Sequence, residues 1–194
     1  MEHDSQKTGK LVFLRSLSGL ISGGGALLAL CAFLPFVRSC QGHVLVPAEE
    51  VGLYPPHLFG LMTCVTFLGF SLGRRIVALQ RIYGWLAVAT VVYLAVRANI
   101  LFLKQFEPLS LLFSAISLLC VGTVLLSFKR RLSMTARLGR QTWSTGMSIG
   151  LWFVLFVALC FGEPLLGFWM GVGSCAAMTV GAIALEVMAR RIKG

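Results

Sequence analysis

Acidic residues are scarce in this sequence, which has seven Asp and Glu residues against 17 Lys and Arg residues. The only aspartate is Asp4, close to the N-terminus. Intramembrane aspartyl proteases and aspartate-based phosphoryl-transfer enzymes need aspartates elsewhere in the chain. Both classes of enzyme are therefore excluded.

Histidines and catalytic motifs are also few. His3, His43 and His57 are the only histidines, and no two of them face each other inside the apolar runs, which argues against a bis-histidine haem. The sequence contains no Walker, Rossmann, GxSxG or HExxH pattern. We therefore expect no cofactor and no metal site, and the sequence favours a protein that is not an enzyme.

Charge of either sign is rare, and this decides the class of protein. Charged residues make up 12% of the chain and hydrophobic residues 57%, with a mean hydropathy of +0.86. Soluble domains carry about 25% charged residues. The composition predicts an all-α, polytopic integral membrane protein whose main partner is the lipid bilayer.

Six apolar runs are long enough to cross a membrane as helices, since about 20 residues span the hydrocarbon layer. We predict one transmembrane domain over 16–194, preceded by a loose cytoplasmic tail over 1–15. Residues 37–55 form the long outer loop, and 129–141 form a basic inner loop or a short interfacial helix. The predicted spans are about 16–36, 56–73, 83–103, 108–128, 142–161 and 164–189.

The basic residues predict the orientation of these spans. The net charge of +10 is compatible with nucleic-acid binding, but the Lys and Arg residues lie at the ends of the apolar runs, as the positive-inside rule requires. Fourteen of the 17 fall on one predicted side. We therefore predict three hairpins with both termini in the cytoplasm, in a bacterial inner (plasma) membrane, and no nucleic-acid partner.

Two outer turns share the sequence Glu-Pro-Leu, at 107–109 and 163–165. Glutamate before a helix start favours the positive end of the helix dipole, and proline fits the first helical position. The repeat is explained either by shared turn chemistry or by duplication of a hairpin.

A polar pair in the third span is a candidate intramembrane site. A charge at the centre of a span costs about 2.5–3.5 kcal/mol on insertion scales, so Arg97, followed by Asn99, calls for an explanation. Arg97 either reaches the membrane surface and pairs with Glu107 or Glu163, or it belongs to a transport path.

Small residues mark two candidate helix-packing faces. Gly23, Gly24 and Gly25 lie inside the first span and predict either a close helix crossing or a broken helix that lines a site. In the sixth span the small residues recur every four positions, at Gly173, Ala177 and Gly181. Glu186, four residues before Arg190, is expected to form a local ion pair.

The outer loop offers a candidate partner surface. Within it, residues 43–46 predict a short strand. Its polar residues either contact a partner or are ordinary solvated side chains; they are Cys40, His43, Glu49, Glu50 and His57.

These observations leave three hypotheses for the function. The first is a non-catalytic accessory or assembly subunit that binds other membrane protein subunits. The second is a small transporter or channel for an anion or a lipid, built on Arg97 and Asn99. The third is a membrane thiol oxidoreductase, which would need two of the six cysteines to meet, with Cys40 and Cys160 as the candidate pair.

Overall fold

Six α-helices account for most of the chain. The computed structural model describes residues 2–39, 41–47, 54–72, 77–105, 108–129, 132–160 and 162–191. Within these ranges the helices are α1 Glu2–Leu30, α2 Tyr54–Ser71, α3 Val77–Gln105, α4 Pro108–Lys129, α5 Met134–Cys160 and α6 Leu166–Arg191. A single 3-10 turn, Cys31–Phe33, extends α1. Three two-residue strands complete the described fold: β1 Val37–Arg38, β2 Val44–Leu45 and β3 Glu163–Pro164.

The helical class predicted from the sequence is confirmed, together with the membrane-compatible character of the helices. Among the described residues, three helical segments are long and apolar enough to cross a membrane: Val12–Phe33, Val77–Ile100 and Leu166–Arg191. A shorter apolar helical segment covers Ser114–Phe128. Six spans and the orientation of the chain remain predictions.

Several helices extend beyond the apolar runs that predicted them. Residues 2–15 form the beginning of α1 where a loose tail was expected, and residues 134–141 begin α5 where a separate interfacial helix was one of the expectations. Likewise, α3 starts at Val77, before the predicted span 83–103. None of these segments contains proline, and Lys, Arg and Gln are good helix formers, so the helices continue past the apolar residues.

The helices form a closed ring. Each helix packs against the next along the chain, α6 packs against α1, and α3 also contacts α5. α1 and α2 run antiparallel, since Leu28 and Gly25 of α1 contact His57 and Gly60 of α2 respectively. The ring therefore brings the end of the chain back to its beginning.

A small antiparallel sheet closes one end of the ring. β1 is the central strand, with Val37 opposite Leu45 on β2 and opposite Pro164 on β3. The turn between β1 and β2 contains Gly42, whose φ of 83° lies in the region that glycine adopts without strain. The predicted strand over 43–46 is confirmed at Val44–Leu45. The sheet fastens the loop after α1 to the turn between α5 and α6.

Below the sheet, an aromatic cluster fills the space between α1, α5 and α6. Phe36 is fully buried, and its ring centroid lies 4.8 Å from that of Phe153 and 5.7 Å from that of Phe168. Both contacts are edge-to-face, the arrangement that the quadrupoles of aromatic rings favour.

Glycine lets α1 and α2 cross with their backbones in contact. A Cβ atom added to Gly25 would lie 2.6 Å from the carbonyl oxygen of Gly60 and 2.7 Å from the backbone nitrogen of Cys64. Because α1 continues through this point, the structure favours the close-crossing interpretation of the first glycine run over the broken-helix interpretation.

We predict that Gly25→Ala destabilises the protein by about 1–3 kcal/mol, because the new methyl group would clash with backbone atoms of the facing helix. Gly122→Ala is the matched control, since a Cβ atom at Gly122 of α4 meets nothing within 4 Å. It should leave stability unchanged or raise it by up to about 1 kcal/mol through helix propensity. Thermal unfolding in mild detergent measures both changes, and an equal effect of the two would contradict the crossing geometry.

Candidate functional site

The first half of α5 carries polar side chains into the interior of the bundle. These side chains are 2% exposed or less: Gln141, Thr142, Ser144, Thr145 and Ser148. Buried polar groups are stable only when they are hydrogen-bonded, so their partners decide whether this region is a site or a support.

Hydrogen bonds link this polar face to three other helices. Thr142 commits its own proton to the carbonyl oxygen of Leu138 at 2.8 Å, so the hydroxyl of Tyr83 donates to Thr142 at 2.7 Å. Tyr83 is fully buried and also lies 3.3 Å from the hydroxyl of Thr63 on α2. These contacts join α2, α3 and α5 in one network, which supports the fold.

The same face of α5 also binds α4. Gln141 donates to the hydroxyl of Ser127 at 3.2 Å, and the hydroxyls of Thr123 and Ser144 lie 2.8 Å apart. Three of the five polar residues, Gln141, Thr142 and Ser144, therefore support the fold by binding neighbouring helices.

A buried carboxylate between α5 and α6 is the strongest charged feature of the described chain. The side chain of Glu186 is 7% exposed. Its Oε1 accepts two hydrogen bonds from Arg140, from Nε at 3.0 Å and from Nη2 at 2.6 Å, and one from Arg190. Its Oε2 accepts a hydrogen bond from the indole nitrogen of Trp143 at 2.8 Å. We call these four residues the Glu186 cluster.

Helix geometry and one glycine bring the cluster together. Arg140 and Trp143 are three residues apart on α5, so they share one face, and Glu186 and Arg190 are four apart on α6. A Cβ atom on Gly139 would lie 2.9 Å from the carbonyl oxygen of Ala182, so α5 and α6 approach each other closely here.

The predicted pair of Glu186 with Arg190 is confirmed. Arg140 and Trp143 were missed as partners, because no local pattern indicates a contact between distant helices.

A cleft of about 490 Å³ opens beside the cluster. The four cluster residues line it together with Ile183, Val187 and Arg191. Positive charge and apolar surface meet in this cleft, which makes it a candidate binding surface.

The predicted polar pair of α3 does not form a common site. Arg97 is exposed; its Nε donates to the hydroxyl of Tyr93 at 3.1 Å, and its guanidinium carbon lies 5.5 Å from the centroid of the Tyr93 ring. Asn99 is half-buried towards α4, where it accepts a hydrogen bond from Ser114 at 2.7 Å. The two side chains therefore have different hydrogen-bond partners and different surroundings.

Of the two acidic partners suggested for Arg97, only Glu163 lies within the described residues. Glu163 pairs instead with Arg38 across the sheet, at 3.6 Å between Nη1 and Oε2, and both side chains are more than half exposed. The register of β1 with β3 sets these two residues opposite each other, which explains the pairing. Glu107 lies outside the described residues.

The candidate partner loop is only partly described. His43 is exposed at the turn of the sheet, where it is available for contact. His57 is 3% exposed and its Nδ1 lies 2.7 Å from the carbonyl oxygen of Leu28, so it belongs to the interior and is removed from the loop surface. The reason is that α2 begins at Tyr54, which places His57 in its first turn. Cys40, Glu49, Glu50 and the side chain of Cys160 lie outside the described residues.

The predicted small-residue faces divide into packed and open positions. A Cβ atom on Gly24 would meet Met178 at 2.7 Å, and one on Gly181 would meet Ile21 at 3.0 Å, so both glycines pack at the contact of α1 with α6. Gly23 and Gly173 have nothing within 4 Å of an added Cβ atom. Gly173 is exposed, so it makes no close packing contact within the described chain, and its role in helix packing stays a prediction.

These open glycines line a groove of about 530 Å³ between α1 and α6, which we call the α1–α6 groove. The residues of α1 that line it are Gly19, Leu20, Gly23, Gly24 and Leu27. Those of α6 are Met170, Gly173, Ser174 and Ala177. Ser174 donates its proton to the carbonyl oxygen of Met170 at 2.7 Å, so the groove is apolar in character.

Within the described ranges, His, Cys, Asp and Glu side chains do not gather in groups of three that could hold a metal ion. No protein family model, no curated protein and no solved structure matches this chain. The α1–α6 groove and the charged cleft are thus the two surfaces on which a functional proposal can rest.

We predict that Glu186→Gln destabilises the protein by about 3–5 kcal/mol, because it leaves the guanidinium of Arg140, only 11% exposed, without its counter-charge. Glu163→Gln is the matched control; it removes an exposed ion pair and should cost at most about 1 kcal/mol. Chemical unfolding in detergent measures the difference.

The double variant Arg140→Met with Glu186→Leu removes both buried charges at once. It should recover much of the loss caused by Glu186→Gln, since apolar replacements of a buried ion pair are often neutral or stabilising. Equal stability of Glu186→Gln and Glu163→Gln would show that the buried pair does not support the fold.

Proposed function

We propose that this protein is a non-catalytic accessory or assembly subunit of a larger membrane complex, and that the α1–α6 groove receives a transmembrane helix of a partner subunit. The single observation that carries this proposal is a set of glycines that the fold of the chain itself does not use. Transmembrane helices associate through small residues, which let their backbones approach closely.

The energetic argument compares glycines that are close neighbours in the sequence. Glycine inside a helix costs up to about 1 kcal/mol relative to alanine. At Gly24 and Gly25 close contacts with α6 and α2 offset this cost. At Gly19, Gly23 and Gly173 an added Cβ atom meets nothing within 4 Å, so the described chain provides no such compensation. A partner helix seated in the groove would provide it.

The shape and chemistry of the groove suit a helix of this kind. Leu20 and Leu27 are more than 40% exposed on its α1 side, and they provide apolar flanks around the open glycines. Its only side-chain hydroxyl, on Ser174, is already committed within α6. An apolar partner helix with a small-residue face of its own would fit without burying an unsatisfied polar group.

The competing hypotheses have less support. A transporter for an anion or a lipid was founded on Arg97, Asn99 and a broken first helix, but α1 is continuous and the two polar side chains have separate surroundings. A thiol oxidoreductase needs paired cysteines. The four cysteines whose side chains are described are free, and Cys31, Cys120 and Cys175 are also buried.

We place the subunit in a bacterial inner (plasma) membrane, crossing it six times with both ends in the cytoplasm. The sequence places 14 of the 17 basic residues in the predicted inner segments, and this asymmetry supports the orientation. Its partners are then the lipid bilayer and other membrane protein subunits, with no role for nucleic acid.

We predict that Gly23→Leu and Gly173→Leu leave the stability of the purified protein within about 1 kcal/mol of the original, because the chain has room for both side chains. Each should nevertheless abolish co-purification of a partner subunit, since leucine fills the groove. Affinity purification in mild detergent followed by quantitative mass spectrometry measures the partner.

Gly122→Leu is the matched control. An added Cβ atom at Gly122 also meets nothing within 4 Å, but Gly122 lies on α4, away from the groove. It should retain the partner. A partner retained by all three variants would refute the groove as its binding surface, and flux through the reconstituted protein would favour the transporter instead.

We predict that a reporter enzyme fused after Lys193 reports the cytoplasm, whereas a tag inserted at Gly42, an exposed turn position, is labelled from outside the cell. Both follow from an even number of spans with the sheet on the outer side. Labelling of the two positions from the same side would contradict this topology.

A further inference from the structure

We propose that the cleft beside the Glu186 cluster binds the phosphate headgroup of an anionic phospholipid, with part of the acyl chain lying along α6. This goes beyond the subunit function, because it concerns another surface and another kind of ligand. The proposal rests on the charge of the cleft, the availability of its guanidinium groups, and the position of its apolar wall.

The charge of the cleft is the first argument. Three guanidinium groups, those of Arg140, Arg190 and Arg191, line it together with a single carboxylate, that of Glu186. The cleft therefore keeps a net positive charge after its internal ion pairs have formed. Basic pockets between transmembrane helices are typical binding sites for anionic headgroups.

The second argument is that the positive charge is accessible. Arg140 is 11% exposed and serves Glu186, whereas the side chain of Arg190 is 52% exposed and has a recorded hydrogen bond through one nitrogen only. Arg191 is exposed, and among the described residues it has no hydrogen-bond or ion-pair partner. Arginine presents several N–H donors in a planar array that suits phosphate oxygens.

The third argument decides between a lipid and a free anion. Ile183 and Val187 line the same cleft and are 45% and 44% exposed. With Arg191 they follow one another at intervals of four residues along one face of α6. At 1.5 Å per residue, this face runs about 12 Å from the charged end towards the middle of the helix. Charge followed by an apolar strip matches a headgroup and the first part of its acyl chain.

The dimensions and the surroundings agree with such a ligand. The volume of about 490 Å³ lies within the range of about 300–1,000 Å³ that is common for small-molecule sites. The indole of Trp143 lines the cleft, and tryptophan is enriched at the level of lipid headgroups. In the topology proposed above, the cleft faces the cytoplasmic leaflet, the one that carries anionic lipid.

The test uses the intact protein in mild detergent. It is incubated with equal amounts of phosphatidylglycerol and phosphatidylcholine that have the same acyl chains, and native mass spectrometry measures the ratio of the two lipids bound. The original protein should prefer phosphatidylglycerol. Arg191→Gln should lower this preference about fivefold, the effect of one basic residue at an anionic surface.

Arg15→Gln and Arg81→Gln are matched controls. Both arginines are exposed and lie on α1 and α3, outside the cleft, and their loss should leave the ratio unchanged. Thermal unfolding should be the same for all three variants, because none removes a partner of Glu186. An unchanged ratio in Arg191→Gln, or an equal fall in the controls, would overturn the proposal.

Two further measurements separate a lipid from a free anion. Excess inorganic phosphate should fail to displace bound phosphatidylglycerol, because it cannot use the apolar wall. Val187→Asn should weaken retention of the lipid with no change in unfolding temperature. Displacement by inorganic phosphate, together with normal retention in Val187→Asn, would show a site for a soluble anion and refute the lipid assignment.

Discussion

The buried carboxylate of Glu186 is the constraint on which the packing of the last two helices depends. An unpaired charge in this environment would cost several kcal/mol, so Arg140 and Trp143 must lie opposite it. That requirement fixes both the rotation and the height of α5 relative to α6. Since α6 also packs against α1, the position of α5 against α6 also affects how the ring closes.

The existence and class of the helices could be predicted from the sequence because the lengths of apolar runs are a local property. Pro108 begins α4 as its chemistry requires. Helix ends were less predictable, since residues 134–141 begin α5 ahead of the apolar run that predicted it. The contact of Arg140 with Glu186 joins positions 46 residues apart, and local spacing carries no information about such a pair.

The small-residue faces show a second limit of prediction. Consecutive residues of a helix differ by about 100° around its axis, so a run of glycines points in several directions. Gly24 contacts α6, Gly25 contacts α2, and Gly23 contacts neither. The sequence indicates that close contacts exist, but only the rotation of α1 assigns each glycine to one. The same limit applies to Arg97, whose partner depends on which side of α3 it occupies.

The three-stranded sheet has a consequence for how the protein is made. β1 can pair with β2 as soon as the first loop has left the ribosome, but its other edge pairs with β3, about 125 residues later in the chain. The entropic cost of closing a loop rises only slowly with its length, so the long separation adds little to the free energy of pairing. Its main effect is that β3 becomes available for pairing much later than β2. Until α5 and α6 are in place, the surfaces of α1 and of the loop after it that pack against them stay uncovered. The last two helices to be synthesised therefore complete the packing around the first helix and the loop that follows it.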